Sequence, residues 1–299
     1  MIRNPFRRPG ARPVIYGHRG ARGVLPENTM EGFHWLRAQG FKAVEIDVQL
    51  SADGVPVILH DPLLPPQLAR DSQGNWLAEP GPNVTRLTAA ELQAYDVGRL
   101  NPEHPYSARF PEQRAVDAAR VPSLAGFLDW ASADPAMILN IEIKSFADHP
   151  ELGTPPARMV AALLQVMTRH GGANPVVVSS FDWNMLHELR RMAPEMALGY
   201  LSLARSGPDC TIYQGSPWMA GQSLAEYQFC LPRLVAAQGA QCWCPHYLDL
   251  TAEDLAQAQA LGLAVNVWTV NDPTAIDRMV GLGVDGIITD YPLRALHRS

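Results

Sequence analysis

The sequence predicts an α/β fold, a closed (βα)8 TIM barrel with a small insertion after the second strand. Three observations carry this. Eight short β-branched or apolar runs recur along 299 residues. Helical patterns alternate with them, which implies a parallel sheet. The length suits a barrel of about 250 residues with an addition. No Gly-x-Gly-x-x-Gly follows the first run, which counts against the alternative, a doubly wound open sheet.

In order, the runs are 14–16, 43–48, 137–143, 176–179, 197–201, 240–244, 263–268 and 285–289. The helical patterns are 29–38, 124–131, 157–169, 183–192, 224–236, 252–260 and 274–280. Asn28 is the expected N-cap of the first helix, with Glu31 completing a capping box. Residues 62–121 break the rhythm with Pro, Gly and polar residues and one helical stretch, 89–95. Barrel connections of that length usually carry function. The segment has too few apolar residues for its own core, so it is an insertion in one barrel domain, 14–299. Residues 1–13 are expected to be a frayed leader. Arg3, Arg7, Arg8 and Arg12 are interrupted there by prolines, and no apolar stretch follows.

Composition narrows the function. The net charge of −6 is scattered, which excludes a nucleic-acid partner. The 47% hydrophobic content excludes wholesale disorder. No apolar run approaches the roughly 18 residues of a membrane span, so stable membrane insertion is not expected. Cys210, Cys230, Cys242 and Cys244 lack zinc-site spacing and read as free thiols in a reducing cytoplasm. A homodimer is left open.

The chemistry sits at strand ends. In the second run, Glu45, Asp47 and Gln49 share one face, and Ile46, Val48 and Leu50 the other. The apolar face belongs under the helices, so the carboxylates point to the axis. Ser51-Ala52-Asp53-Gly54 reads as a hairpin turn. Centred between Ala52 and Asp53, it places His60 opposite Glu45. In the third run, Asn140, Glu142 and Lys144 share a face. The first run ends in Gly17-His18-Arg19-Gly20, at a position where barrel chemistry is expected.

Glu45, Asp47 and Glu142 form an oxygen-rich pocket that suits Mg²⁺ or Ca²⁺. His18 and His60 suit acid–base work near neutral pH. Arg19 and Lys144 add positive charge of the kind that stabilises a phosphoryl transition state. The set reads as metal-assisted cleavage of a phosphate ester. Trp268 either packs on substrate at the mouth or belongs to the core; Phe181 and His246 are weaker candidates of the same kind. Asp290 reads as a loop or cap residue.

His18-Arg19-Gly20, Pro26-Glu27-Asn28-Thr29, Glu45-Ile46-Asp47-Val48, Asp53-Gly54, His60-Asp61 and Glu142-Ile143-Lys144 resemble the glycerophosphodiester phosphodiesterases. Val267-Trp268-Thr269-Val270-Asn271 and Asp285-Gly286-Ile287-Ile288-Thr289-Asp290 look similar to that family too. The resemblance implies a barrel related to phosphatidylinositol-type phospholipases. It implies one divalent cation on Glu45, Asp47 and Glu142, His18 and His60 as general acid and base, and phosphate bound by Arg19 and Lys144. The implied reaction cleaves a small glycerophosphodiester to glycerol 3-phosphate and an alcohol, with the glycerol 2-hydroxyl as a first nucleophile. Two alternatives stand beside it. One is a lipid-directed lysophospholipase D or sphingomyelinase D type, for which Leu63, Leu64 and Trp76 would line an apolar entry. The other is a catalytically silent binding barrel.

Overall fold

The computed structural model describes residues 4–78, 80–205 and 209–296. Its strands are β1 (Val14–Gly17), β2 (Ala43–Leu50), β3 (Pro56–Ile58), β4 (Ile138–Ile143), β5 (Val176–Ser180), β6 (Ala197–Ser202), β7 (Cys242–Pro245), β8 (Ala264–Val267) and β9 (Gly286–Thr289). All except β3 pair in parallel, and the ring closes through β1 against both β2 and β9. This is the expected eight-stranded barrel; β3 is an antiparallel hairpin arm on β2. The helices are α1 (Met30–Ala38), α2 (Ala89–Ala94), α3 (Leu124–Ser132), α4 (Pro156–His170), α5 (Trp183–Met192), α6 (Leu231–Ala237), α7 (Ala252–Ala260), α8 (Pro273–Leu282) and α9 (Pro292–Leu296). Ile46, Val48 and Leu50 join Phe127, Leu163 and Leu186 in the main core between strands and helices. That packing turns Glu45 and Asp47 to the axis, as the alternation predicts.

Four local expectations need correction. The cap of α1 is Thr29, whose hydroxyl accepts from the Gly32 N–H. Asn28 has φ of 54°, outside the extended region a cap needs, and its side chain donates to Asp47 Oδ2 at 2.8 Å. The helix expected at 224–236 is broken into a short turn, Leu224–Tyr227, and α6. Pro232 is the reason: a proline cannot follow the carbonyl of residue 228 in helical geometry. Gln228 and Phe229 take left-handed conformations there instead.

The leader, from residue 4 onward, is docked and not frayed. Phe6 is buried with Val177, Cys242 and Ala264, from the first residues of β5, β7 and β8. Asn4 Nδ2 donates to the Gln241 carbonyl at 2.6 Å, and Arg7 pairs with Asp285 at 3.0 Å. These contacts lie at the N-terminal ends of the strands, opposite the chemistry.

The hairpin register is shifted by one residue. Val48 faces Ile58 and Gln49 faces Val57, because the loop holds three residues, 52–54, ending in left-handed Gly54. Continued, this ladder would put His60 opposite Ile46, on the helix side. The ladder stops first, after the Leu59 N–H bonds the Asp47 carbonyl at 3.0 Å. The chain then turns, and His60 still reaches the barrel mouth.

Residues of the insertion form a small cluster only together with the hairpin. Leu64, Ala69, Val84, Leu92, Val97 and Val121 close around Val57 and Leu59 of the hairpin. The segment is too poor in apolar residues for a core of its own, and Val57 and Leu59 of the hairpin complete this one. Arg70 ties it together, reaching Asp96 and Asp117 at 2.6 Å each. Among the described residues, no helix is long and apolar enough to cross a membrane.

Candidate active site at the barrel mouth

One cavity of about 810 Å³ opens at the C-terminal ends of the strands. Its first wall is the turn after β1. A side chain at Gly17 would lie 1.9 Å from the Gly20 carbonyl oxygen, so only glycine permits this turn. Arg19 is held at φ of 51°, which aims its N–H at Glu45 Oε2, 2.9 Å away. A non-glycine residue in that conformation is strained backbone of the kind found at functional sites.

β2 and β4 then bring the carboxylates together. Their register sets Glu45 beside Asn140 and Asp47 beside Glu142. Oxygens of Glu45, Asp47 and Glu142 lie within 4.8 Å of one another. Burial and the neighbouring charges of Asp47 and Glu142 push the Glu45 carboxyl well above its usual range. Burial also works against ionised Asp47, but Arg19, His60, Lys144 and the Asn28 hydrogen bond outweigh it and hold the group far below. Glu45 Oε1 and Asp47 Oδ1 are buried with no hydrogen-bond partner. Clustered carboxylates with orphaned inward oxygens fit a hard divalent cation, which would satisfy both the charge and the lone pairs.

The cations are held by these acids. Lys144 Nζ lies 2.6 Å from Glu142 Oε1 and 3.6 Å from Asp47 Oδ1. Arg19 bridges Glu27 at 2.7 Å and Asp47 at 3.1 Å. Both line the cavity.

Each histidine carries its own aspartate. His18 Nδ1 is 2.6 Å from Asp290 Oδ1, and its Nε2 faces Glu45 Oε2 at 3.8 Å. Burial first, and then the Arg22 charge, lower His18 to about 4 against the pull of Asp290. His60 Nδ1 is 2.6 Å from Asp61 Oδ1. Asp61 sits below its usual range: burial opposes ionisation, but the hydrogen bond and charge of His60, with Arg19 and Lys144, prevail.

Sequence reasoning missed three members. Asp290 is no cap residue: it binds His18, Arg22 at 2.9 and 3.1 Å, and Asn271 at 2.7 Å. Its position at the end of the last strand was the available signal. Arg22 follows the first strand's polar cluster by a few residues. Tyr106 comes from the insertion and donates to Glu27 at 2.8 Å; nothing in the local sequence marks it. Trp268 lines the cavity, with Phe181 at 5.2 Å and His246 at 5.0 Å between ring centres. His34, His104, His149, His170 and His187 do not line it; His297 lies outside the described residues.

The family model for the glycerophosphoryl diester phosphodiesterase family matches residues 18–294. The chain belongs to that family. A glycerophosphodiester phosphodiesterase of Caldanaerobacter subterraneus subsp. tengcongensis is 26% identical over 280 residues, 93% of this chain and 94% of the relative. A Silicibacter pomeroyi DSS-3 crystal structure, of a protein assigned as a glycerophosphoryl diester phosphodiesterase, shares 42% identity at a TM-score of 0.86. It covers 98% of this chain and 94% of its own. An Oleispira antarctica phosphodiesterase, solved with its product sn-glycerol-3-phosphate, shares 25% identity at a TM-score of 0.72, over 96% of each chain. As a member of the glycerophosphoryl diester phosphodiesterase family, the chain presents its polar cluster at the barrel mouth, where its strands end.

Proposed function

We propose that this protein hydrolyses small glycerophosphodiesters to sn-glycerol 3-phosphate and an alcohol. The observation that carries the reading is the clustering of the Glu45, Asp47 and Glu142 oxygens at a cavity lined by Glu45, Glu142 and two aspartate-bound histidines. Glu45, Asp47 and Glu142 would hold one Mg²⁺ or Ca²⁺. That ion supplies positive charge against the negative charge gathering on the phosphoryl oxygens.

The remaining work falls to side chains. Asp290 accepts the Nδ1 proton of His18, which leaves the His18 Nε2 lone pair facing the cavity. His18 is unprotonated at neutral pH, and so takes the proton of the attacking glycerol 2-hydroxyl; water then opens the cyclic phosphate at its P–O2 bond, which gives glycerol 3-phosphate. His60, oriented by Asp61, gives a proton to the departing alcohol oxygen. Arg19 and Lys144 neutralise the phosphate oxygens, and Trp268 forms the wall on which the substrate's carbon skeleton rests. The free thiols Cys230, Cys242 and Cys244 support a reducing, cytoplasmic setting.

Release of glycerol 3-phosphate from a diester panel tests this, with EDTA and with Mg²⁺ or Ca²⁺ restored. Metal-restored release is expected. Release undiminished by EDTA would remove the cation from the reading, and no release from any diester would remove the activity.

A further inference from the structure

A second depression lies in the insertion, beside the mouth. It holds about 470 Å³ and is walled by Pro62, Leu63, Pro65, Pro66, Pro80 and Gly81. Its remaining boundary is Asp61 and Gln67, which also line the central cavity. The two spaces therefore meet at the aspartate that holds His60.

The charged side chains stop at that boundary. The central cavity mixes Arg, Lys, His and carboxylates with apolar residues such as Phe110, Phe181, Leu201 and Trp268. Among the described residues, the trough carries no titratable side chain beyond Asp61. Its walls are stiff, because prolines fix their own φ and restrict the residue before them. It is also anchored. Leu64 is fully buried beneath it, and the Leu64 N–H bonds the Pro82 carbonyl at 2.9 Å. The Asn101 N–H bonds the Gln67 carbonyl at 2.8 Å. Of the three apolar residues that suggested a lipid entry, only Leu63 faces this space. Leu64 is core, and Trp76 lies under the Arg70 guanidinium at 5.5 Å.

We infer that this proline-walled trough is the subsite for the alcohol half of the substrate, and that it selects alcohols carrying an apolar chain. The inference rests on the diesterase reading and deepens it. An alcohol leaving on the His60 side of the phosphorus meets Asp61 and Gln67 first and the prolines next. Past Asp61 and Gln67 a charged head group gains no partner among the described residues, whereas a methylene chain loses apolar surface against the proline and leucine walls.

The test is a series of glycerophospho-n-alkanols from ethanol to octanol, assayed below their aggregation concentrations. Full burial of a methylene is worth about fourfold in an equilibrium, and a trough open on one side about half that free energy. Thus kcat/KM should rise about twofold per added methylene until the trough is filled. Leu63→Gln should flatten that rise, and Leu63→Met should restore it. A flat profile in the native protein, with the short esters cleaved, overturns the subsite and leaves the diesterase reading standing. A slope that survives in Leu63→Gln also overturns it. No cleavage of any ester overturns the diesterase reading itself and the subsite with it. The native slope does not depend on how any variant folds.

Discussion

The two histidine–aspartate pairs have the same bond length, 2.6 Å, and opposite surroundings. His18 and Asp290 join the first and last strands of the barrel, with side chains 11% and 1% exposed. His60 and Asp61 are neighbours on the arm that leads into the insertion, 32% and 35% exposed. The first pair is locked by Arg22 and Asn271; the second has Gln67 at 3.5 Å. Burial makes the first pair a rigid device that also matters to folding. The second pair is about one-third open to solvent. Screening by water weakens the second pair's electrostatics for the same reason.

The comparison can be broken at several points. His18→Ala and His60→Ala should each lower turnover by about a thousandfold or more, with the fold intact by circular dichroism. Normal turnover in either variant would remove that residue from the reaction. Asp290→Asn should cost about a hundredfold in kcat and Asp61→Asn only about tenfold, because one partner is buried and the other screened. Equal losses would erase the distinction. Adding Mg²⁺ or Ca²⁺ at a hundred times Kd should stabilise the protein by about 2.7 kcal/mol, read as a rise in Tm. Glu45→Gln should raise the Tm measured in EDTA, by relieving carboxylate repulsion, and abolish the rise with metal.

A smaller effect concerns pH. His18 is lowered from 6.5 to about 4 in the fold, so the unfolded chain binds its proton first. Its contribution is present above pH 6.5 and is lost as pH falls from 6.5 toward 4, by about 3 kcal/mol at most. Melts in EDTA should show this loss, and His18→Gln should reduce it.

Much of this was legible in the chain alone, for a definable reason. Strict alternation in Glu45-Ile46-Asp47 and Asn140-Ile141-Glu142 has one consequence in a barrel strand, whatever the rest of the fold does. Sequence therefore determined the eight strands and the inward carboxylates. The tertiary structure decided what depends on counting or on distance. One extra residue in the hairpin loop moved the register, and the early end of β3 brought His60 back to the mouth. Asp290 lies 272 positions from His18, so only ring closure makes them partners. Phe6 looked like part of a loose leader because its partners, Val177, Cys242 and Ala264, are all distant in sequence. Periodicity is a local property of the backbone and survives in the sequence. Which buried groups meet is set by closure of the barrel, and that appears only when β1 pairs with β9.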